Sequence, residues 1–356
     1  ADIYLNRLKS NVEVVQSMVG DAKIMAVVKA DAYGHGIEPI VKELLKTSVY
    51  GFCVALSKEV QELLSLGISR PILHLGAMDY ENLDIYYSGQ VHCTINSFKD
   101  IEILKKIDEK YKLNIHLKID TGMGRLGLNY SDAERAMNLL NNVNVIGVYS
   151  HLATAEDENT SYKELQLNRF DKICELARHY LPSVQYFHIA NSSAILTCKD
   201  SIYSMVRPGI SLYGVSPLGK PHMDLKPIMR FSTLVVLIKK IRAGESVGYG
   251  QQYIAEKDET IAIIQAGYAD GVPVLFSNSY SVEINNELYP IIGKVSMDLI
   301  AIKCNNDKIN IGDRAVLWGG KKLQTSLEVV SKKFNRIPYE FLTGITNRVK
   351  RNYINE

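Results

Sequence analysis

The chain has 356 residues, a formal net charge of +2 and 46% hydrophobic residues. That balance suits a globular enzyme of one large domain or two unequal ones, and it argues against a dedicated nucleic-acid binder, which carries a basic stripe. No apolar run reaches the roughly 18 residues of a membrane span, and five cysteines, at 53, 93, 174, 198 and 304, form no C-x-x-C pair and read as buried thiols of a reducing compartment.

No secretory signal pattern is read at the start. The first residue is not methionine, and the apolar pattern begins at once with Ile3 and Leu5. This is the expectation for a trimmed chain or one domain of a longer protein. The location expected is cytoplasmic, either as a free enzyme or as the cytoplasmic part of a membrane-anchored one.

A leading helix is expected over Leu5–Val19, followed by a β/α rhythm. Apolar runs recur at Ile24–Val28, Gly51–Leu56, Pro71–Leu75, Val91–Ile95, Leu113–Ile119, Val143–Tyr149, Tyr186–Ala190 and Met205–Tyr213. They are short and rich in β-branched or aromatic residues, as buried parallel strands are. Amphipathic helices are expected between them, at Ser57–Leu66, Ser97–Ile107 and Ser131–Leu140, each opened by a capping serine. Eight strand–helix units in about 200 residues suit a closed (β/α)8 TIM barrel, with an open doubly wound sheet as the alternative. After Pro227 the pattern changes. Strands are expected at Phe231–Lys240, Thr260–Ala266, Tyr280–Ile284, Pro290–Ile292, Ser296–Lys303 and Arg314–Leu317, with an Asn285-Asn286 turn and one helix at Ser326–Phe334. The reading is therefore an α/β chain: a barrel over 1–228, whose first few residues are free to join the second domain, and a mainly β domain over 229–356.

In a barrel of this kind the site lies where strands end. Strand one delivers a lone lysine, Lys29, with Tyr33 four residues on, ahead of Gly34-His35-Gly36. A lysine desolvated at a strand end can lose its proton and attack a carbonyl, although a strand-end lysine reaching solvent is the plainer alternative. Strand five ends in Asp120-Thr-Gly-Met-Gly-Arg125, strand six in Tyr149-Ser-His151, strand seven in His188-Ile-Ala-Asn191-Ser192, and strand eight runs through Arg207-Pro-Gly209-Ile210. The ends of strands seven and eight commonly bind phosphate in barrels. A phosphate anchor together with an isolated lysine points to pyridoxal 5'-phosphate. Gly122-Met-Gly-Arg-Leu-Gly127 also matches a dinucleotide fingerprint. The expected helix does not open there and no acidic residue follows at the right spacing, so the loop reads instead as presenting Arg125 to an anion. In the second domain Tyr249 and Tyr268 sit in glycine-bounded turns, and Met297 precedes a strand. No metal site is assigned.

Taken together, VVKADAYGHG, KIDTGMGRLG, YSHLATA, HIANSSA, RPGISLYG, SVGYG, AGYADG and GKVSMD resemble the alanine racemases along the whole chain. The resemblance implies a pyridoxal-phosphate enzyme acting on a small amino acid and supplying D-amino acids for cell-wall precursors. It implies a homodimer with shared sites and no direct contact with nucleic acid or membrane. Lys29 would hold the cofactor as an imine and act as one base. Tyr249, reaching in from the partner subunit, would be the other, with His151 tuning its proton affinity. Arg207 would face the ring nitrogen, supported by Tyr149. Tyr33, Asn191, Ser192, Gly209 and Ile210 would serve the cofactor and its phosphate. Arg125 and Met297 would hold the substrate carboxylate, Tyr268 would line the approach, and Lys118 matches a position carbamylated in many members.

One position departs from the pattern: Asn347 stands where the family carries a tyrosine before an arginine–valine pair. This resembles the serine-racemising branch, the catalytic part of membrane-bound racemases linked to vancomycin resistance, and implies turnover of serine as well as alanine. Lys294 near the approach is a further candidate for tuning access. The alternatives are a plain alanine racemase, a non-catalytic carrier of the same cofactor, and a barrel decarboxylase, which would want a carboxylate rather than Arg207 at the ring nitrogen.

Overall fold

The computed structural model describes residues 1–355 except 109–110, 112, 158 and 305–307. By internal contacts the chain divides into two units, one of residues 9–32 and 37–212, the other of residues 1–8, 33–36 and 213–356.

In the first unit eight parallel strands follow one another around the sheet: Lys23–Val27, Gly51–Val54, Ile72–His74, Val91–Ile95, Ile115–Asp120, Val145–Tyr149, Tyr186–His188 and Met205–Val206. The order runs in sequence, with the eighth strand paired to the first. An open doubly wound sheet would reverse its order at a switch point. Across the remaining seam Arg207 N–H donates to Ala190 O at 3.0 Å and Phe187 N–H to Ser204 Oγ at 2.8 Å. The barrel is thus nearly closed, and nearly every strand residue is buried, as its β-branched and apolar composition requires.

Four local readings differ from the structure. The eighth strand is two residues long, not nine. Pro208 has no N–H for the ladder, and the Gly209 and Ser211 N–H groups turn to Ser192 Oγ. The third connection carries only a short 3-10 turn, Leu83–Tyr86, behind an Asp79 carboxylate that accepts from the Glu81 and Asn82 N–H groups. The helix Ser57–Ser65 is capped by Glu59 rather than by Ser57. Ser97 does form a reciprocal cap with Asp100, whereas Ser131 falls in a 3-10 turn ahead of the helix Ala133–Leu139. The leading helix spans Leu5–Val19 as expected.

The second unit is built on the 13-residue strand Met229–Ile241. Its first half pairs with Arg314–Trp318 and its second with Glu259–Ile264, and through Ile300–Lys303, Glu287–Ile292 and Ser281–Ile284 the ladders return on themselves. The Asn285-Asn286 turn has φ of +49° and +70° between paired Ile284 and Glu287, the two-residue hairpin that the Asn pair favours. Four short strands of this unit were not among those expected: Asp2–Tyr4, Asn352–Ile354 parallel to it, and the paired Ser246–Val247 and Tyr253–Ile254.

Candidate active site

The chain leaves the first barrel strand in an uncommon way. After Lys29, residues Ala30, Asp31, Ala32 and Tyr33 have φ of 52°, 54°, 52° and 56°, followed by Gly34 at 75°. A left-handed run costs about 1–2 kcal/mol per residue and persists only where its surroundings hold it. Here Glu59 Oε1 accepts the Ala30 N–H at 2.6 Å, Asp31 Oδ1 accepts the Ile37 N–H at 2.8 Å, and Ala32 N–H reaches Val28 O at 2.9 Å. The other Glu59 oxygen takes the N–H groups of Ala55 and Leu56 at 2.8 and 3.0 Å. One carboxylate therefore ties the turn after Lys29 to the end of the second strand. The sequence reading missed Glu59, which looks like an ordinary charge on a helix. Its position at the third residue of that helix was the available signal.

At the ends of strands five, six and eight the structure gathers Lys118, Arg125, His151 and Arg207. Lys118, Asp120, Arg125 and His151 line one small pocket. Arg207 is buried and donates to Ser150 O at 2.7 Å, to His188 O at 3.0 Å, to His188 Nδ1, and to His151 Nδ1 at 3.4 Å; its guanidinium lies 4.9 Å from the Tyr149 ring centre. Burial, then Arg207, Arg125, Lys118 and Lys29, hold the His151 imidazole well below its usual range, so it is neutral. Burial, then Arg207 and Arg125, lower the Lys118 ammonium to about 8.

The nearby carboxylate does not offset these cations freely. Asp120 accepts the N–H groups of Gly122, Met123 and Arg125 at 2.8, 2.7 and 3.0 Å. In the glycine loop the N–H groups of Gly122, Met123 and Arg125 are thus taken up by the loop's own carboxylate. Gln166, another residue the sequence reading missed, takes the Ala153 N–H at 2.8 Å and donates to His151 O at 3.0 Å, fixing the histidine's loop.

At strands seven and eight Ser192 Oγ is buried and accepts from the N–H groups of Gly209 (2.9 Å) and Ser211 (3.3 Å), with Ile210 buried between them. Asn191 Oδ1 caps the following turn through the Ala194 N–H at 3.0 Å.

The remaining candidates lie in the second unit. Tyr33 packs on Tyr213 and Tyr339, with ring centres 4.9 and 5.8 Å away. The loops carrying Tyr268, Met297 and Asn347 are stitched together: Ala269 N–H donates to Met297 O at 3.1 Å, Thr346 Oγ1 to Ala269 O at 2.7 Å, and Arg348 bridges Asp298 and Asp270 at 2.6 and 3.5 Å. Gly267 admits this contact, because a Cβ there would lie 2.1 Å from Met297 O. Tyr249 is 71% exposed, between Gly248 and Gly250 at φ +74° and +70°, and Gly248 abuts the Lys294 backbone.

Residues 3–217 match the alanine racemase N-terminal domain and residues 228–353 the alanine racemase C-terminal domain. The chain belongs to the alanine racemase family. It is 38% identical to the alanine racemase of Vesicomyosocius okutanii, over 98% of this chain and 96% of that one. It is 34% identical to the alanine racemase of Clostridium novyi, over 99% and 95%. The fold superposes on the crystal structure of alanine racemase from Bartonella henselae with covalently bound pyridoxal phosphate, with a TM-score of 0.91, 31% identity and coverage of 99% and 98%.

Within this alanine racemase fold, Glu59 yields a direct prediction. Glu59→Gln must turn an amide NH2 towards one of the backbone N–H groups it now accepts, at a cost of about 1–3 kcal/mol. Urea denaturation should show that loss, and amide exchange should accelerate at Ala30 more than in the strand Gly51–Val54. Equal exchange at both would show that Glu59 merely caps its helix.

Proposed function

We propose that the chain is a pyridoxal-phosphate-dependent racemase that interconverts L- and D-alanine with two bases. The supporting observation is the set of cations, Lys29, Lys118, Arg125 and Arg207, around a neutral His151, with Asp120 spent on its own loop. Such a set calls for anions, and a phosphate and an amino-acid carboxylate fit it. When bound, pyridoxal phosphate supplies an aldehyde for an amine and an electron-poor ring that acidifies the substrate Cα–H.

Lys29 Nζ holds the cofactor. Tyr33, Ser192, Gly209 and Ile210 serve the phosphate, with Asn191 capping the turn that bears Ser192. Arg207 faces the ring nitrogen and, because a guanidinium keeps its proton, leaves that nitrogen unprotonated. This weakens the electron sink and disfavours decarboxylation. Arg125 and the Met297 backbone hold the substrate carboxylate, and Tyr268 lines the approach.

Lys29 Nζ and Tyr249 Oη exchange a proton with Cα from opposite faces, as inversion requires. Tyr249 is exposed on its own chain, and in a homodimer it serves the partner's site. His151 accepts from Arg207 at Nδ1, so its proton sits on Nε2. That N–H can donate to the phenolic oxygen of Tyr249.

Lys118 fits a carbamate. Its amine takes up carbon dioxide with loss of one proton, which places an anion among Arg125 and Arg207. A carbamate needs the free amine, whose share grows as pH rises through about 8. A carbon-13 bicarbonate label should therefore appear on the protein, strengthen over that range, and vanish in Lys118→Arg. A label indifferent to that substitution excludes the site.

A second reading, serine as an additional substrate, rests on Asn347. Its amide is shorter than a tyrosine and can bond a hydroxyl. The link to glycopeptide resistance would stand only on top of serine turnover. Chiral chromatography of L-alanine and L-serine incubations, with and without added cofactor, tests both readings. Cofactor-dependent D-alanine is expected, and carbon dioxide release in its place would favour a decarboxylase. Asn347→Tyr should lower serine relative to alanine turnover by about tenfold, the worth of one polar contact. An unchanged ratio removes Asn347 from the account.

A further inference from the structure

Three histidines outside the roles assigned above run end to end through the barrel. His188 closes strand seven, whereas His116 and His92 are the second residues of strands five and four. All three are buried. Arg207 Nη1 donates to His188 Nδ1, His188 Nε2 lies 2.8 Å from His116 Nδ1, and His116 Nε2 lies 3.1 Å from His92 Nδ1. The chain thus passes from the catalytic end of the barrel towards the opposite end.

Its polarity is fixed at one terminus. A guanidinium can only donate, so His188 Nδ1 accepts. A neutral His188 then carries its proton on Nε2 and donates to His116 Nδ1. The same step puts the His116 proton on Nε2 and makes His92 Nδ1 an acceptor. Reversing any one ring sets N–H against N–H, or lone pair against lone pair. Burial keeps all three rings neutral, with His92 lowered to about 4 and the other two well below the usual range.

The barrel also makes room for the chain. A Cβ at Gly147 in strand six would lie 2.3 Å from His116 Nδ1 and 2.5 Å from its Cε1. His188 is stacked on Tyr149, the ring beneath Arg207, at 4.7 Å and 8°. Apolar side chains would fill this interior with less desolvation, so packing alone does not call for three imidazoles.

We propose that His116 and His92 are positioning residues, a one-way hydrogen-bond chain that holds His188, and through it the Arg207 guanidinium, in a single orientation towards the cofactor ring. The proposal rests on Arg207 facing that ring. Neither histidine touches the reacting atoms.

Nitrogen-15 correlation spectra of histidine- and arginine-labelled holoenzyme test it. In wild type His92, His116 and His188 should each be neutral and protonated at Nε2, with sharp Arg207 guanidinium signals that shift when cofactor binds. His116→Leu should broaden those signals and lower kcat about tenfold, with little change in KM for alanine. His116→Asn, whose Oδ1 can accept the His188 Nε2–H, should restore both. Should His116→Leu not fold, His92→Leu provides a milder change in the same direction, and Gly147→Ala displaces the ring with every histidine kept. A charged or Nδ1-protonated imidazole at His92, His116 or His188 overturns the chain itself. Full activity with sharp Arg207 signals in His116→Leu reduces the histidines to core filling. Arg207 signals indifferent to cofactor would instead defeat the ring-facing premise, leaving the imidazole protonation states unchanged.

Discussion

A buried guanidinium held by neutral acceptors is the constraint on which the barrel's chemistry depends. Arg207 donates to backbone carbonyls and to imidazole nitrogens, and among the described residues no carboxylate bonds to it. A carboxylate there would neutralise the charge and could compete for the ring nitrogen. Neutral partners satisfy the N–H groups while leaving the field of the cation in place. Burial first, and then this field with those of Arg125 and Lys29, keeps His151 neutral and eases the proton off Lys118. Anion affinity, histidine tautomer and lysine reactivity thus follow from burying one arrangement of positive charge at the strand ends.

Backbone devices hold that arrangement. The turn after Lys29 takes four successive residues through left-handed geometry, and Asp31 and Glu59 pin it with their carboxylates. Asp120 likewise fills its own loop and shapes the approach to Arg125. Around this site carboxylates bind backbone N–H groups, so the cations remain available to ligands.

Much of this was legible in the sequence. Short β-branched runs ending in Lys29, Asp120, His151, Ser192 and Arg207 announce a parallel barrel with its chemistry at one end, because buried parallel strands are apolar on both faces and polar residues collect where they stop. The glycines at 248, 250 and 267 gave away turns in which backbone must bend or approach closely. What stayed hidden has physical causes. Ala30, Asp31 and Ala32 carry no mark of positive φ, since tertiary hydrogen bonds impose it. Glu59 acts through the backbone of residues distant in sequence. His92 and His116 look like ordinary core positions until the barrel brings strands four, five and seven into line. Pro208 marked where the eighth strand stops, but the nine-residue reading ran through it.

The account stands or falls on Lys29 as the amine that carries the cofactor in a field of cations. Borohydride reduction of the cofactor-loaded protein, followed by peptide mapping, tests this most directly. The account predicts the reduced pyridoxyl label on Lys29 alone. A label on Lys118 or any other lysine, or no covalent label at all, would contradict it.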